Sequence, residues 1–86
     1  MPEYAIVFAR SARKELEALT PAIISRVFSS IEALSKSPRP KGCRTLRGYR
    51  GFWRIRVGDY RVIYSIDDDL KIVDISAIRH RSKAYR

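Results

Sequence analysis

Residues 52–61 set Arg54, Arg56 and Arg61 on strand-like alternation, and Arg79 and Arg81 stand near the end of the chain. A guanidinium stays charged at any working pH and presents a planar fork of donors that matches two phosphate oxygens at once. Brought onto one surface, such groups suit the recognition of a phosphate. Phe52 lies on the same side of its strand as Arg54 and Arg56, and its ring offers a base or a guanidinium something to stack on. The bland alternative is a sheet face kept soluble and unaggregated by positive charge. Lysine is the usual residue for that purpose. Every basic residue between Phe52 and Arg61 is arginine, which favours recognition of a phosphate.

The other groups with chemical potential are sparse. His80 is the sole histidine and Tyr85 sits beside the C-terminus; each alone reads more readily as a packing or solvated residue. Tyr49, Tyr60 and Tyr64 read as core or sheet-face residues. Cys43 is the only cysteine, so a disulfide within one chain is excluded. One histidine and one cysteine do not make a transition-metal site, and Asp67-Asp68-Asp69 lacks the alternating spacing of a calcium loop, reading instead as a solvated turn. No metal and no cofactor are expected.

The elements that must position the arginines follow from periodicity. Residues 4–8 (YAIVF) suit a buried strand. Ser11 is placed to cap a helix with Ala12, Leu16 and Leu19 at helical spacing, and Thr20-Pro21 starts a second with Ile23, Ile24, Val27, Phe28, Ile31 and Leu34 on one face. Residues 37–42 (SPRPKG) end it in a loop. A short strand at 45–48 precedes a strand at 52–57, where Trp53, Ile55 and Val57 face the core. Gly58-Asp59 turns the chain into a strand at 60–66, and the aspartate run turns it into a last strand at 70–78. The order β-α-α-β-β-β predicts an α+β domain, an antiparallel sheet packed against a helical hairpin. The last strand returns beside the one that starts at Tyr60, so Arg79 and Arg81 arrive at the level of Arg61.

Size and charge bound the rest. The chain has 86 residues, enough for one domain spanning 1–86. Its apolar runs are too short to span a bilayer, and Met1-Pro2-Glu3 does not open a signal peptide, so the cytoplasm is the expected compartment. The net charge of +9 implies a polyanionic partner. Up to residue 35 the chain balances Arg10, Arg13, Lys14 and Arg26 against Glu3, Glu15, Glu17 and Glu32. From Arg39 to Arg61 there are eight basic residues and one acid, Asp59, and Arg79, Arg81, Lys83 and Arg86 add more. Charge gathered in one half of a domain reads as a site.

The element order, the segments Lys36-Ser37-Pro38-Arg39, Leu46-Arg47-Gly48 and Gly58-Asp59-Tyr60-Arg61-Val62-Ile63-Tyr64, and the ending Ile78-Arg79-His80-Arg81-Ser82-Lys83-Ala84-Tyr85 together resemble the RelE/ParE toxin superfamily of type II toxin–antitoxin systems. The resemblance covers essentially the whole chain. It implies one of two activities: ribosome-dependent cleavage of messenger RNA in the A site, as in RelE-like members, or inhibition of DNA gyrase, as in ParE-like members. RelE-like toxins carry two basic residues on the central strand, an arginine on the next, and an arginine and a tyrosine in the tail. Arg54, Arg56, Arg61, Arg79 and Tyr85 match that set, so the chain looks closer to RelE. Arg47, Arg50, Phe52, Arg81 and Lys83 would add contacts to RNA. The implied partners are the ribosome with its message and a cognate antitoxin, whose acidic or amphipathic segment wraps the domain in a hetero-oligomer; no membrane is implied.

The implied reaction is attack of a ribose 2′-OH on the adjacent phosphate, which requires a base, charge stabilisation and help for the leaving oxygen. Arg61 with one or both of Arg54 and Arg56 would hold the phosphate, Arg79 would assist the leaving group, and Tyr85 would stack on or orient a nucleotide. One departure from the family stands out. Its members can carry a lysine on the central strand as the base, where this chain has arginine, which does not release its proton. His80 or Tyr85 would then serve as the base, or catalysis would rest on positioning within the ribosome.

Overall fold

The computed structural model describes residues 3–82, in which two helices lie against one face of a five-stranded sheet. Strand β1 (Ala5–Phe8) turns Ile6 and Phe8 towards the core and leaves Ala5 and Val7 exposed. Helix α1 (Arg10–Glu17) buries Ala12 and Leu16, one turn apart on its inner face. Ser11 lies inside this helix. Its N-cap is Ala9, which makes no side-chain capping bond, so the chain enters α1 two residues earlier than Ser11 implies. Helix α2 (Pro21–Ala33) starts as expected, with Thr20 at the N-cap and Pro21 in the first turn, though the threonine hydroxyl makes no capping bond. Val27, Ile31 and Leu34 are wholly buried along its inner side.

Four strands complete the sheet: β2 (Arg44–Thr45), β3 (Phe52–Val57), β4 (Tyr60–Asp67) and β5 (Ile72–His80). Their order is β1-β5-β4-β3-β2. Neighbours from β5 to β2 are antiparallel, while β1 pairs parallel with β5 at one edge. The helices cover the face that carries Ile55, Val62, Tyr64, Val73, Ile75 and Ile78, and these form one core with Ala12, Leu16, Val27, Ile31 and Leu34. Among the described residues no helix is long and apolar enough to cross a membrane.

Two local features decide what the other face presents. Between β4 and β5 the register passes from Tyr64 opposite Ile75 to Ile63 opposite Ala77, which leaves Ser76 as an extra residue. This bulge reverses the alternation beyond it. Ile78 points to the core and Arg79 to the open face; without the bulge they would exchange sides. Gly58, at φ 60, makes the β3–β4 turn, a positive φ that a side chain resists.

The segment after α2 is fastened to the sheet. Buried Tyr64 donates its hydroxyl to the Pro38 carbonyl at 2.8 Å, and burial pushes its pKa up. Arg39 stacks over Trp53 at 5.3 Å and pairs with Asp68 at 2.9 Å, and the Tyr4 hydroxyl donates to the same carboxylate at 2.6 Å. Asp68 is therefore a tie between three parts of the chain, a larger role than a solvated turn.

Candidate nucleic-acid interface

Residues directly opposite each other on paired strands share a face. Arg56 lies opposite Arg61, and Arg61 opposite Arg79, so these three form a row across β3, β4 and β5 on the face turned away from the helices. Adjacent strands are about 4.8 Å apart, a spacing at which two guanidiniums reach one phosphate. A second row lies alongside, in which Arg44 faces Arg54 and Arg54 faces Ile63. Arg61, at the centre, is only 8% exposed, whereas Arg56 and Arg79 are exposed. Burial lowers the effective dielectric around a charge and strengthens its pull on an anion.

Phe52 stands on the same face two residues from Arg54 and half-buried. Arg47 and Arg50 occupy exposed positions in the connection from β2 to β3. That connection is held by backbone hydrogen bonds, from Leu46 N–H to the Phe52 carbonyl at 2.8 Å and from Tyr49 N–H to the Leu46 carbonyl at 3.2 Å. Tyr49 is 60% exposed there, a loop residue and not part of the core or the sheet face. Arg81 follows β5. Its N–H donates to the Asp59 carbonyl at 2.7 Å, and its Nε lies 3.9 Å from the Asp59 carboxylate.

His80 is not brought to this row. It lies opposite Tyr60 on the helix side of the sheet, with the two rings edge to face at 5.3 Å. Its Nδ1 accepts from the Ser82 N–H at 3.3 Å and lies 3.0 Å from the Ser82 hydroxyl. Lys83 and Tyr85 lie outside the described residues.

Two members of this surroundings escaped the sequence reading. Arg44 joins through strand register, which alternation within one segment does not reveal. Glu15, on α1, accepts from Arg79 Nε at 2.8 Å and from the Ile78 N–H at 2.9 Å; its contact spans more than sixty positions and has no local signature. The far end of the same face carries Asp67 and Asp74, with Asp68 and Asp69 beside them around a shallow groove. The open face is thus polarised, basic near the β3–β4 turn and acidic at the other end, which steers a polyanion to the arginines.

Known proteins share this architecture. The family described as the ParE toxin of type II toxin–antitoxin systems matches residues 6–85. Toxin RelG of Mycobacterium tuberculosis is 34% identical over 84 residues, 96% of this chain and 97% of the relative. The toxin–antitoxin complex RelBE2 of the same organism contains a chain 33% identical, covering 92% of this chain and 99% of its own, with a TM-score of 0.79. The archaeal RelE–RelB complex from Pyrococcus horikoshii aligns over 98% of this chain and 100% of that chain at 29% identity, with a TM-score of 0.81.

Proposed function

This chain belongs to the RelE/ParE superfamily of type II toxins, and we propose that it acts as a ribosome-dependent endoribonuclease cutting messenger RNA in the A site. The observation that carries the reading is the row of Arg56, Arg61 and Arg79 on the sheet face turned away from the helices. Lined up on adjacent strands, these groups suit a single phosphodiester better than they suit general solubility.

In the proposed reaction the ribose 2′-oxygen attacks the neighbouring phosphorus and gives up its proton to solvent water. The bond from phosphorus to the 5′-oxygen breaks and that oxygen takes a proton from water, leaving a 2′,3′-cyclic phosphate and a 5′-hydroxyl. Arg61 and Arg56 hold the non-bridging oxygens and offset the charge that grows on them, with Arg54 supporting from the next row. Arg79, at the end of the row, offsets charge on the departing 5′-oxygen. Phe52, Arg44, Arg47, Arg50, Arg81 and Lys83 contact the flanking RNA, and Tyr85 stacks on a nucleotide. No proton is routed through His80, whose ring is on the opposite face. With arginine where a lysine base would stand, catalysis rests on charge stabilisation and on the ribosome holding the 2′-oxygen in line. This arrangement accounts for dependence on the ribosome.

The partner set follows from the same reading. The two solved relatives named above are toxin–antitoxin complexes. Here an antitoxin with an acidic or amphipathic segment covers the arginine row in a cytoplasmic hetero-oligomer and silences it.

A second reading has its own support, because the matching family is described as the ParE toxin, and inhibition of gyrase is the activity implied by a ParE-like member. Induction of the toxin in cells without its antitoxin separates the two. Under the nuclease reading transcripts acquire new ends within translated codons while plasmid supercoiling is unchanged. Relaxed plasmids and DNA-damage signalling with intact transcripts would transfer the protein to the gyrase class.

A further inference from the structure

Arg79 leaves β5 beside a carboxylate that reaches it from the helical layer. The Arg81 N–H bonds the Asp59 carbonyl, so alternation of the antiparallel ladder turns the Ile78 N–H away from β4. On that side β1 has already ended, its Phe8 pairing with Ile75. The Ile78 donor therefore sits at an open sheet edge, and Glu15 fills the gap with Oε1 at 2.9 Å. The other oxygen, Oε2, accepts from Arg79 Nε at 2.8 Å. Glu15 itself is held, since its neighbour Leu16 and Ala12 one turn away are core residues of α1.

We propose that Glu15 is a positioning residue for cleavage, fixing the Arg79 guanidinium on the arginine row through one carboxylate shared with the β5 backbone. The inference rests on the nuclease reading above and deepens it. An exposed arginine has several rotatable bonds and otherwise samples many directions. Here, like charges on Arg56 and Arg61 would also push Arg79 outward. The carboxylate opposes both tendencies: it supplies the counter-charge and ties Nε, leaving the terminal Nη1 and Nη2 donors for the phosphate. Its bond to Ile78 sets the height of the strand end from which Arg79 projects. Glu15 touches neither message nor phosphate, so its effect passes through Arg79.

The test uses the full chain with programmed ribosomes. Glu15→Gln keeps a carbonyl oxygen for the Ile78 N–H but loses the charge-assisted bond to Arg79, so the strand end stays pinned while the guanidinium is released. We expect this variant to unfold at the parental midpoint, to keep the parental KM for ribosomes, and to lose about 10- to 100-fold in kcat, the scale set by misplacing a reacting group by an ångström. In an Arg79→Ala background the same change should cost nothing further, because the group it positions is gone. A parental kcat for Glu15→Gln, or losses that multiply in the double variant, would overturn the proposal.

A second readout does not need cleavage. The side-chain Nε–H resonance of Arg79 should be shifted and protected from solvent exchange in the parent and should lose both properties in Glu15→Gln. An unprotected parental signal would also overturn the assignment. If the parent cuts no message, the nuclease reading fails while this resonance still decides whether Glu15 holds Arg79.

Discussion

An arginine and a lysine carry the same charge but address a phosphate differently, and the arginine row turns on that difference. A guanidinium fixes two oxygens in one plane, whereas an ammonium is a compact and strongly hydrated point charge. Arg56 is exposed at one end of the row, so its replacement leaves the core untouched. Arg56→Lys should shift stability by no more than about 0.5 kcal/mol. Ribosome binding should keep its salt dependence, because the charge count is unchanged. Cleavage should nonetheless fall by about 10-fold or more, since only the two-pronged contact matches the charge growing on two oxygens. Single-turnover rates and salt titrations on the two proteins check this. Equal rates would mean that charge alone suffices at this position.

At the scale of elements, the hairpin and the bulge place the row. Gly58 holds a positive φ of 60 in the turn that brings Arg56 opposite Arg61. A Cβ there would come 3.4 Å from the end of the flexible Arg26 side chain, so space is not the obstacle and the backbone conformation is. Gly58→Ala should cost about 1–2 kcal/mol, read as a lower urea midpoint at unchanged slope. The β3–β4 hairpin was legible because Trp53, Ile55 and Val57 alternate cleanly around a Gly-Asp turn. The two helices were legible from their apolar faces, as was the convergence of Arg54, Arg56, Arg61 and Arg79 on one face of the sheet. The bulge at Ser76 was not. Its trace is a three-residue step between the buried Ile75 and Ile78, which mimics helical spacing and lacks the glycine that marks many bulges. His80 was read as a candidate base, yet strand alternation sends it to the face opposite Arg79. The ends of β2 and α1 and the contact of Glu15 with Arg79 depend on register and packing between distant segments, which no local pattern encodes.

Across the whole molecule, a chain with a strong net positive charge keeps several of its acids where they tie segments together or where they leave the arginine end basic. Asp68 is the clearest case. Hydrogen bonds from Arg39, and then from Tyr4, lower its pKa from the ordinary 3.8 to about 2. A carboxylate whose folded pKa is depressed adds stability above its unfolded pKa and loses that contribution as pH falls through the folded value. The tie between the segment after α2, β1 and the β4–β5 turn should therefore weaken between about pH 4 and pH 2. Urea midpoints of the parent should exceed those of Asp68→Asn at neutral pH, and the gap should close towards pH 2. A gap that persisted unchanged to that pH would assign the stabilisation to groups other than this carboxylate.

The account stands most directly on what the arginine row does to a message. Purified protein, a defined transcript and primer extension, with and without programmed ribosomes, measure it in one experiment. We predict discrete cuts that appear only with ribosomes, leave a 2′,3′-cyclic phosphate and disappear in Arg61→Ala. Intact message in both conditions, from protein that still arrests growth, would contradict it.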